Sequence, residues 1–129
     1  MSVTVLIIDD AVHIRRLVVR MLEQAGFMTL EAADGLQGLY LLKKQKPDVV
    51  TCDISMPLMD GHEFLQAARQ DPETRDIPII VITAIGQEDE AAKATEMGAN
   101  AYLTKPFSSS HLIETIQTQI KKYPGARVA

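Results

Sequence analysis

Apolar positions along this chain follow two rhythms in turn. Val5-Leu6-Ile7-Ile8 and Ile79-Ile80-Val81-Ile82 run without polar interruption, as strands covered on both faces do. Stretches of helical period lie between such runs, and the alternation recurs about every 20 to 25 residues. Strands are predicted over 3–8, 27–32, 48–52, 77–83 and 101–104. Phe27-Met28-Thr29-Leu30-Glu31 alternates apolar and polar side chains, the mark of an edge strand. Ile14, Leu17, Val18, Met21, Leu22 and Ala25 share one predicted helix face, opposite Arg15, Arg16, Arg20 and Glu23. Gly26 should stop that helix. The last helix carries Leu112, Ile113, Ile116 and Ile120 on one side; Ser108 or a neighbouring serine caps it, and Pro124-Gly125 ends it. Residues 87–97 offer only Ala91, Ala92, Ala94 and Met97, a thin face that predicts a weakly anchored helix.

Five strands alternating with five helices predict an α/β fold, a parallel sheet with helices on both sides. Ligands of such sheets gather outside the carboxyl ends of the strands. Asp9 and Asp10 end the first strand, Asp53 the third and Thr83 the fourth, while Lys105 follows the fifth.

The 129 residues suit one domain, 1–123, with a short tail over 124–129. Apolar runs are far shorter than the ~20 residues of a membrane-spanning helix, and Met1-Ser2 leads into strand-like sequence without a charged leader. A net charge of −4 argues against a general nucleic-acid binder. Cys52 is the sole cysteine, so no internal disulfide forms, consistent with a reducing compartment. These readings predict a cytoplasmic protein without a membrane segment.

Two adjacent carboxylates closing an apolar strand raise an electrostatic question, since each is costly to ionise near apolar surroundings and they repel one another. Asp53 adds a third charge. A hard divalent cation such as Mg²⁺ relieves the repulsion, because it prefers oxygen ligands and needs only one or two protein carboxylates. His13, His62 and His111 are scattered and give no zinc set. A carboxylate beside Mg²⁺, with a lysine and a hydroxyl on the same rim, suits nucleophilic attack on phosphorus.

Asp9-Asp10, Asp53-Ile54-Ser55-Met56-Pro57-Leu58-Met59-Asp60-Gly61, Thr83-Ala84 and Lys105-Pro106-Phe107, in this order and spacing, resemble the receiver domain of two-component response regulators. The resemblance runs over about residues 3–122, and it is to a stand-alone receiver of the chemotaxis kind. It implies a flavodoxin-like, doubly wound (βα)5 fold with a five-stranded parallel sheet in the order 2-1-3-4-5. It further implies that Asp53 is the phospho-acceptor, that Mg²⁺ is held by Asp10, Asp53 and the Ser55 backbone carbonyl, and that Asp9 acts through a bound water. Thr83 and Tyr102 correspond to switch residues, and Lys105 to a cation whose bond to Pro106 is expected to be cis. Ser55 and Ile85 occupy positions that tune the life of the phosphoryl group and pull in opposite directions. The implied partners are a sensor histidine kinase or phosphotransfer protein and a downstream protein target, with no direct nucleic-acid contact. Signalling is expected through the face of the fourth helix, fifth strand and fifth helix, by a monomer or a phosphorylation-dependent dimer. Catalysis is limited to self-phosphorylation and slow autodephosphorylation.

Plainer readings stand beside these. Asp9-Asp10 alone is a polar strand end, Tyr102 a static edge residue, and Cys52 a packed core thiol facing away from Asp53. Met56, Met59 and Met97 read as packing, 71–76 as a solvated loop, and Arg15, Arg16 and Arg20 as a solvated helix face; Ile14 is a candidate docking surface. Two other functions stay open: a receiver excised from a longer regulator, and a haloacid-dehalogenase-like aspartyl phosphatase. The latter normally places a second Asp two residues beyond its nucleophile, where this chain has Ser55. A flavin-binding module is disfavoured by Ala11-Val12-His13, which is no phosphate loop.

Overall fold

The computed structural model describes residues 2–122; the predicted tail and the Pro124-Gly125 stop lie outside them. The elements run β1 (Thr4–Ile8), α1 (Val12–Gln24), β2 (Met28–Ala32), α2 (Gly35–Gln45), β3 (Val49–Asp53), α3 (Gly61–Gln70), β4 (Ile79–Thr83), α4 (Glu88–Glu96), β5 (Ala101–Thr104) and α5 (Ser109–Lys122). All strand pairs are parallel, in the order β2-β1-β3-β4-β5. This is the α/β fold that the pattern predicts, in the flavodoxin-like strand order that the resemblance implies. No helix among the described residues is long and apolar enough to cross a membrane.

The period of two in the strands divides the core. Leu6, Ile8, Val50, Cys52, Ile79 and Val81 pack on one face with Leu42 of α2, Phe64, Leu65 and Ala68 of α3, and Ala94 of α4. Val5, Ile7, Val49, Ile80 and Leu103 face the other way, onto Val18, Val19 and Leu22 of α1 and Leu112, Ile116 and Ile120 of α5. Cys52 is therefore the core thiol expected, fully buried with its Sγ directed to the Asp53 carbonyl. β2 is an edge strand, as its alternation predicted.

Several boundaries differ from the predicted ones by a residue or two. β4 starts at Ile79 because Pro78 has no N–H for the ladder, though its carbonyl still accepts from Val50 at 2.9 Å. β3 runs one residue further than predicted, so Asp53 belongs to the strand and inherits its fixed direction. Gly26, at φ +94°, closes α1 as expected. Ser108 caps α5 through the His111 N–H, while Asp34 caps α2 and Asp60 with Glu63 forms a reciprocal capping box on α3.

Three expectations are corrected. The inward stripe of α1 is Arg15, Val18, Val19 and Leu22, at i, i+3, i+4 and i+7; Ile14 and Leu17 remain 39% and 49% exposed, and Ala25 faces solvent. Arg15 thus leaves the solvated face: its side chain is only 13% exposed and reaches Glu31 of β2. On α4, Ala91 and Ala94 are buried but Ala92 is not, so its apolar face is narrower than predicted, while Glu90 pairs with His62 of α3. Within 71–76, Thr74 is fully buried and its hydroxyl donates to the Ala68 carbonyl at 2.7 Å, which pins a segment predicted to be merely solvated.

Candidate functional site

Parallel topology brings the ends of β1, β3, β4 and β5 to one rim, and the order 2-1-3 opens a crevice beside β1 and β3. Asp9 directly follows β1 and is buried; its Oδ1 accepts the Ala11 N–H at 2.9 Å. Asp53, the last residue of β3, is also buried, with Oδ1 accepting from Ser55 N–H at 3.2 Å and Oδ2 from Lys105 Nζ at 2.7 Å. Lys105 Nζ lies 3.8 Å from Asp9 Oδ2. Asp10 is exposed at the mouth, and one carboxylate oxygen from each of Asp9, Asp10 and Asp53 falls within 4.8 Å of the others. The lysine backbone is fixed as well, its N–H donating to the Thr83 carbonyl at 2.8 Å and its bond to Pro106 being cis.

Three carboxylates face one ammonium here. Burial raises the pKa of Asp9 from its ordinary value; the Ala11 N–H and Lys105 oppose this, and Asp53 and Asp10 add to it. For Lys105, burial works to lower the pKa, but the hydrogen bond and charge of Asp53, with Asp9 and Asp10, outweigh it and the result is raised. The cluster is under-neutralised and offers oxygen donors alone, so its chemistry fits a hard dication.

Thr83 reaches the rim but is not aimed at Asp53. Its buried hydroxyl lies 3.4 Å from both the Leu103 carbonyl and the Thr104 Oγ1 of β5, as a buried hydroxyl needs a partner. Tyr102 is 53% exposed on the same edge strand. Ser55 is exposed beside Asp53, and Gly61 packs against the strand end behind it: a Cβ there would lie 2.7 Å from Ile54 Cα and 2.8 Å from the Asp53 carbonyl oxygen.

Two further side chains at the site were not singled out from sequence. Arg15 donates to the Asp9 carbonyl at 2.8 Å and to Glu31 at 3.0 Å, fixing the turn that carries the acidic pair. The available signal was its place at i of the Val18, Val19, Leu22 stripe. Gln87, in the β4–α4 loop, bonds both Ala84 and Ser55, and no sequence periodicity reports such a bond. Beside the acidic pocket, Ile14, Leu17, Val18 and Met21 line a groove of about 370 Å³ with Lys105, Pro106 and Phe107.

A family model described as the response regulator receiver domain matches residues 5–117. The phosphate regulon transcriptional regulatory protein PhoB of Pseudomonas aeruginosa is 37% identical over 119 residues, which are 92% of this chain and 52% of that protein. The DNA-binding dual master transcriptional regulator RpaA of Synechocystis is 36% identical, with 92% and 49% covered. The chain spans about half the length of the curated relatives it matches. Among solved structures, the chemotaxis response regulator CheY4 of Vibrio cholerae superposes with a TM-score of 0.86 at 33% identity, covering 92% of this chain and 99% of that one. NtrX from Brucella abortus gives 0.88 at 29% identity, covering 98% of this chain but 28% of that one.

Proposed function

The chain belongs to the response regulator receiver domain family, and we propose that within it Asp53 is the phospho-acceptor and Lys105 and Thr83 its working partners. Receiver domains are phospho-acceptor switches that bind Mg²⁺ at an acidic pocket. The observation that carries the assignment is the Asp53 carboxylate, held at a strand end by the Ser55 N–H and Lys105 with Asp9 and Asp10 adjoining it.

The Asp53 carboxylate attacks the phosphorus of a phosphohistidine on a sensor kinase or phosphotransfer protein. The P–N bond breaks with its electron pair passing to the imidazole. Lys105 then exchanges part of its ion pair with Asp53 for the phosphoryl oxygens, since charge on those oxygens is what the site must stabilise. Asp10, Asp53 and the Ser55 carbonyl would hold Mg²⁺, with Asp9 reaching it through water. When bound, that ion supplies positive charge that one lysine cannot. The donor docks along the groove of Ile14, Leu17, Met21 and Phe107, which adjoins Lys105.

Phosphorylation adds about −1.5 to −2 charge. Thr83 is drawn from β5 toward the new oxygens, Tyr102 follows, and α4, whose buried face is just Ala91 and Ala94 and whose Glu90 pairs with His62 of α3, shifts. The surface of α4, β5 and α5 then binds a downstream protein, directly and without nucleic acid. Ser55, standing where an aspartyl phosphatase carries its acid, disfavours multiple turnover, so the chain performs only its own phosphorylation and slow dephosphorylation, in the cytoplasm. The first reading is a receiver that works by itself, and CheY4, covered over 99% of its length, is a chain of comparable extent. The half-length match to PhoB supports a second reading, the receiver portion of a longer regulator.

Intact mass after incubation with acetyl phosphate and Mg²⁺ tests the acceptor. One labile phosphoryl adduct is expected on the wild type and none on Asp53→Asn. Equal adducts on both would remove Asp53 from the role.

A further inference from the structure

The helix that the switch must move begins differently from its neighbours. Side chains cap the first turns of its neighbours α3 and α5, whereas Gln87, at the N-cap of α4, like Ala11 at that of α1, makes no capping bond to its own helix. Its amide is engaged elsewhere: Oε1 accepts from Ala84 N–H at 2.9 Å, and Nε2 donates to Ser55 Oγ at 3.3 Å. Ala84 follows Thr83, and Ser55 lies two residues beyond Asp53. One side chain therefore joins the two loops that border Asp53. Ile85, the bulky residue of the same loop, is 76% exposed and leaves that space to the amide.

We infer that Gln87 is a positioning residue of the phosphoryl cycle, its amide clasping the Ser55 and Ala84 loops across the approach to Asp53 and so slowing attack of water on the phosphorylated carboxylate. This rests on Asp53 being the acceptor. In the step that is slowed, a water oxygen bonds to phosphorus and the P–O bond to Asp53 breaks. The electron pair of that bond returns to the carboxylate, and both water protons leave with the phosphate as dihydrogen phosphate. The clasp acts by holding two loops together, since both polar ends of the amide are already occupied. It is weak enough to yield when Thr83 and α4 rearrange, because each bond is a neutral one at a partly solvated site.

Wild type, Gln87→Ala, Ser55→Ala and the double variant are labelled with acetyl phosphate and Mg²⁺, the donor is removed, and loss of the adduct is followed by mass. Each single variant should shorten the half-life by about three- to tenfold, the range expected for one lost hydrogen bond. The double variant should match the singles, since both remove one clasp. In Gln87→Ala, Mg²⁺ affinity by calorimetry and the melting temperature should stay at wild-type values, which a general loosening of the fold would not permit. An unchanged or lengthened half-life in Gln87→Ala, or additive effects in the double variant, overturns the inference. Wild type that fails to label at Asp53 overturns the proposed function and this inference together; normal labelling with equal half-lives overturns this inference alone.

Discussion

Replacing Asp9 with Asn removes one charge from the acidic cluster while keeping an oxygen for the Ala11 N–H. At an effective dielectric of about 20, the attraction between Asp9 and Lys105 at 3.8 Å amounts to about 4 kcal/mol. Each repulsion with Asp53 and Asp10, at no more than 4.8 Å, costs about 3.5 kcal/mol on the same scale. Two repulsions exceed one attraction by about 3 kcal/mol, and the burial of Asp9 weighs on the same side. Asp10 is exposed and Lys105 partly so; solvent screening reduces the net cost to about 1–2 kcal/mol. Asp9→Asn should therefore melt about 3–8 °C above wild type in EDTA, followed by circular dichroism at neutral pH. Because the folded-state pKa of Asp9 is raised, the folded chain holds this proton more readily than the unfolded one. Stability from Asp9 is thus present below the ordinary aspartate value and lost as pH rises through the raised one. The gap between the two proteins should be widest at neutral pH and narrow on acidification. Adding MgCl2 should raise the wild type more than the variant and shrink the gap, since a ligand of the folded state stabilises by mass action. A variant that melts below wild type in EDTA would refute the claim that the acids repel more than Lys105 compensates.

Two other outcomes follow from buried groups at the rim. Arg15→Ala should cost about 1.5–3 kcal/mol in urea titrations, because it removes charge-assisted bonds to Asp9 and Glu31; Arg16→Ala, at the exposed side of the same glutamate, should cost under about 0.5 kcal/mol, and equal losses would contradict the assignment of Arg15 to the inward stripe. Burial pushes the Cys52 thiol well above its ordinary pKa, with Asp53, Asp9 and Asp60 adding to the effect, so Ellman's reagent should label it only as fast as the chain unfolds; labelling of the native protein at neutral pH on a shorter timescale would contradict the packed thiol.

The acidic residues could be placed on one rim from sequence because strand direction and period are local properties. Val5–Ile8 and Ile79–Ile82 are apolar without break, so β1 and β4 had to be covered on both faces, and parallel strands then carry their ends to a common edge. The lysine and the threonine followed by the same rule. Which stripe of α1 turns inward was a different matter. Two stripes on that helix meet the spacing rule and share Val18 and Leu22; hydrophobicity extended the face through Ile14 and Leu17, which stay exposed, whereas the buried stripe begins with Arg15. That stripe wins because an arginine stem can be buried when its head finds Glu31 on β2 and the Asp9 carbonyl, partners whose proximity exists only after folding.

Hydroxyl and amide directions were hidden for the same reason. Thr83 was legible as a rim residue, but its hydroxyl is taken by β5 across the sheet. Gln87 looked like the plain start of a thin helix until the β3–α3 loop came within reach of its amide. What the sequence alone determined is the alternation of strand and helix, the edge on which the charged groups collect, and their number and sign. Only the tertiary structure decided which polar groups partner one another, because a hydrogen bond depends on distances between residues far apart in the chain, and those distances are set by packing.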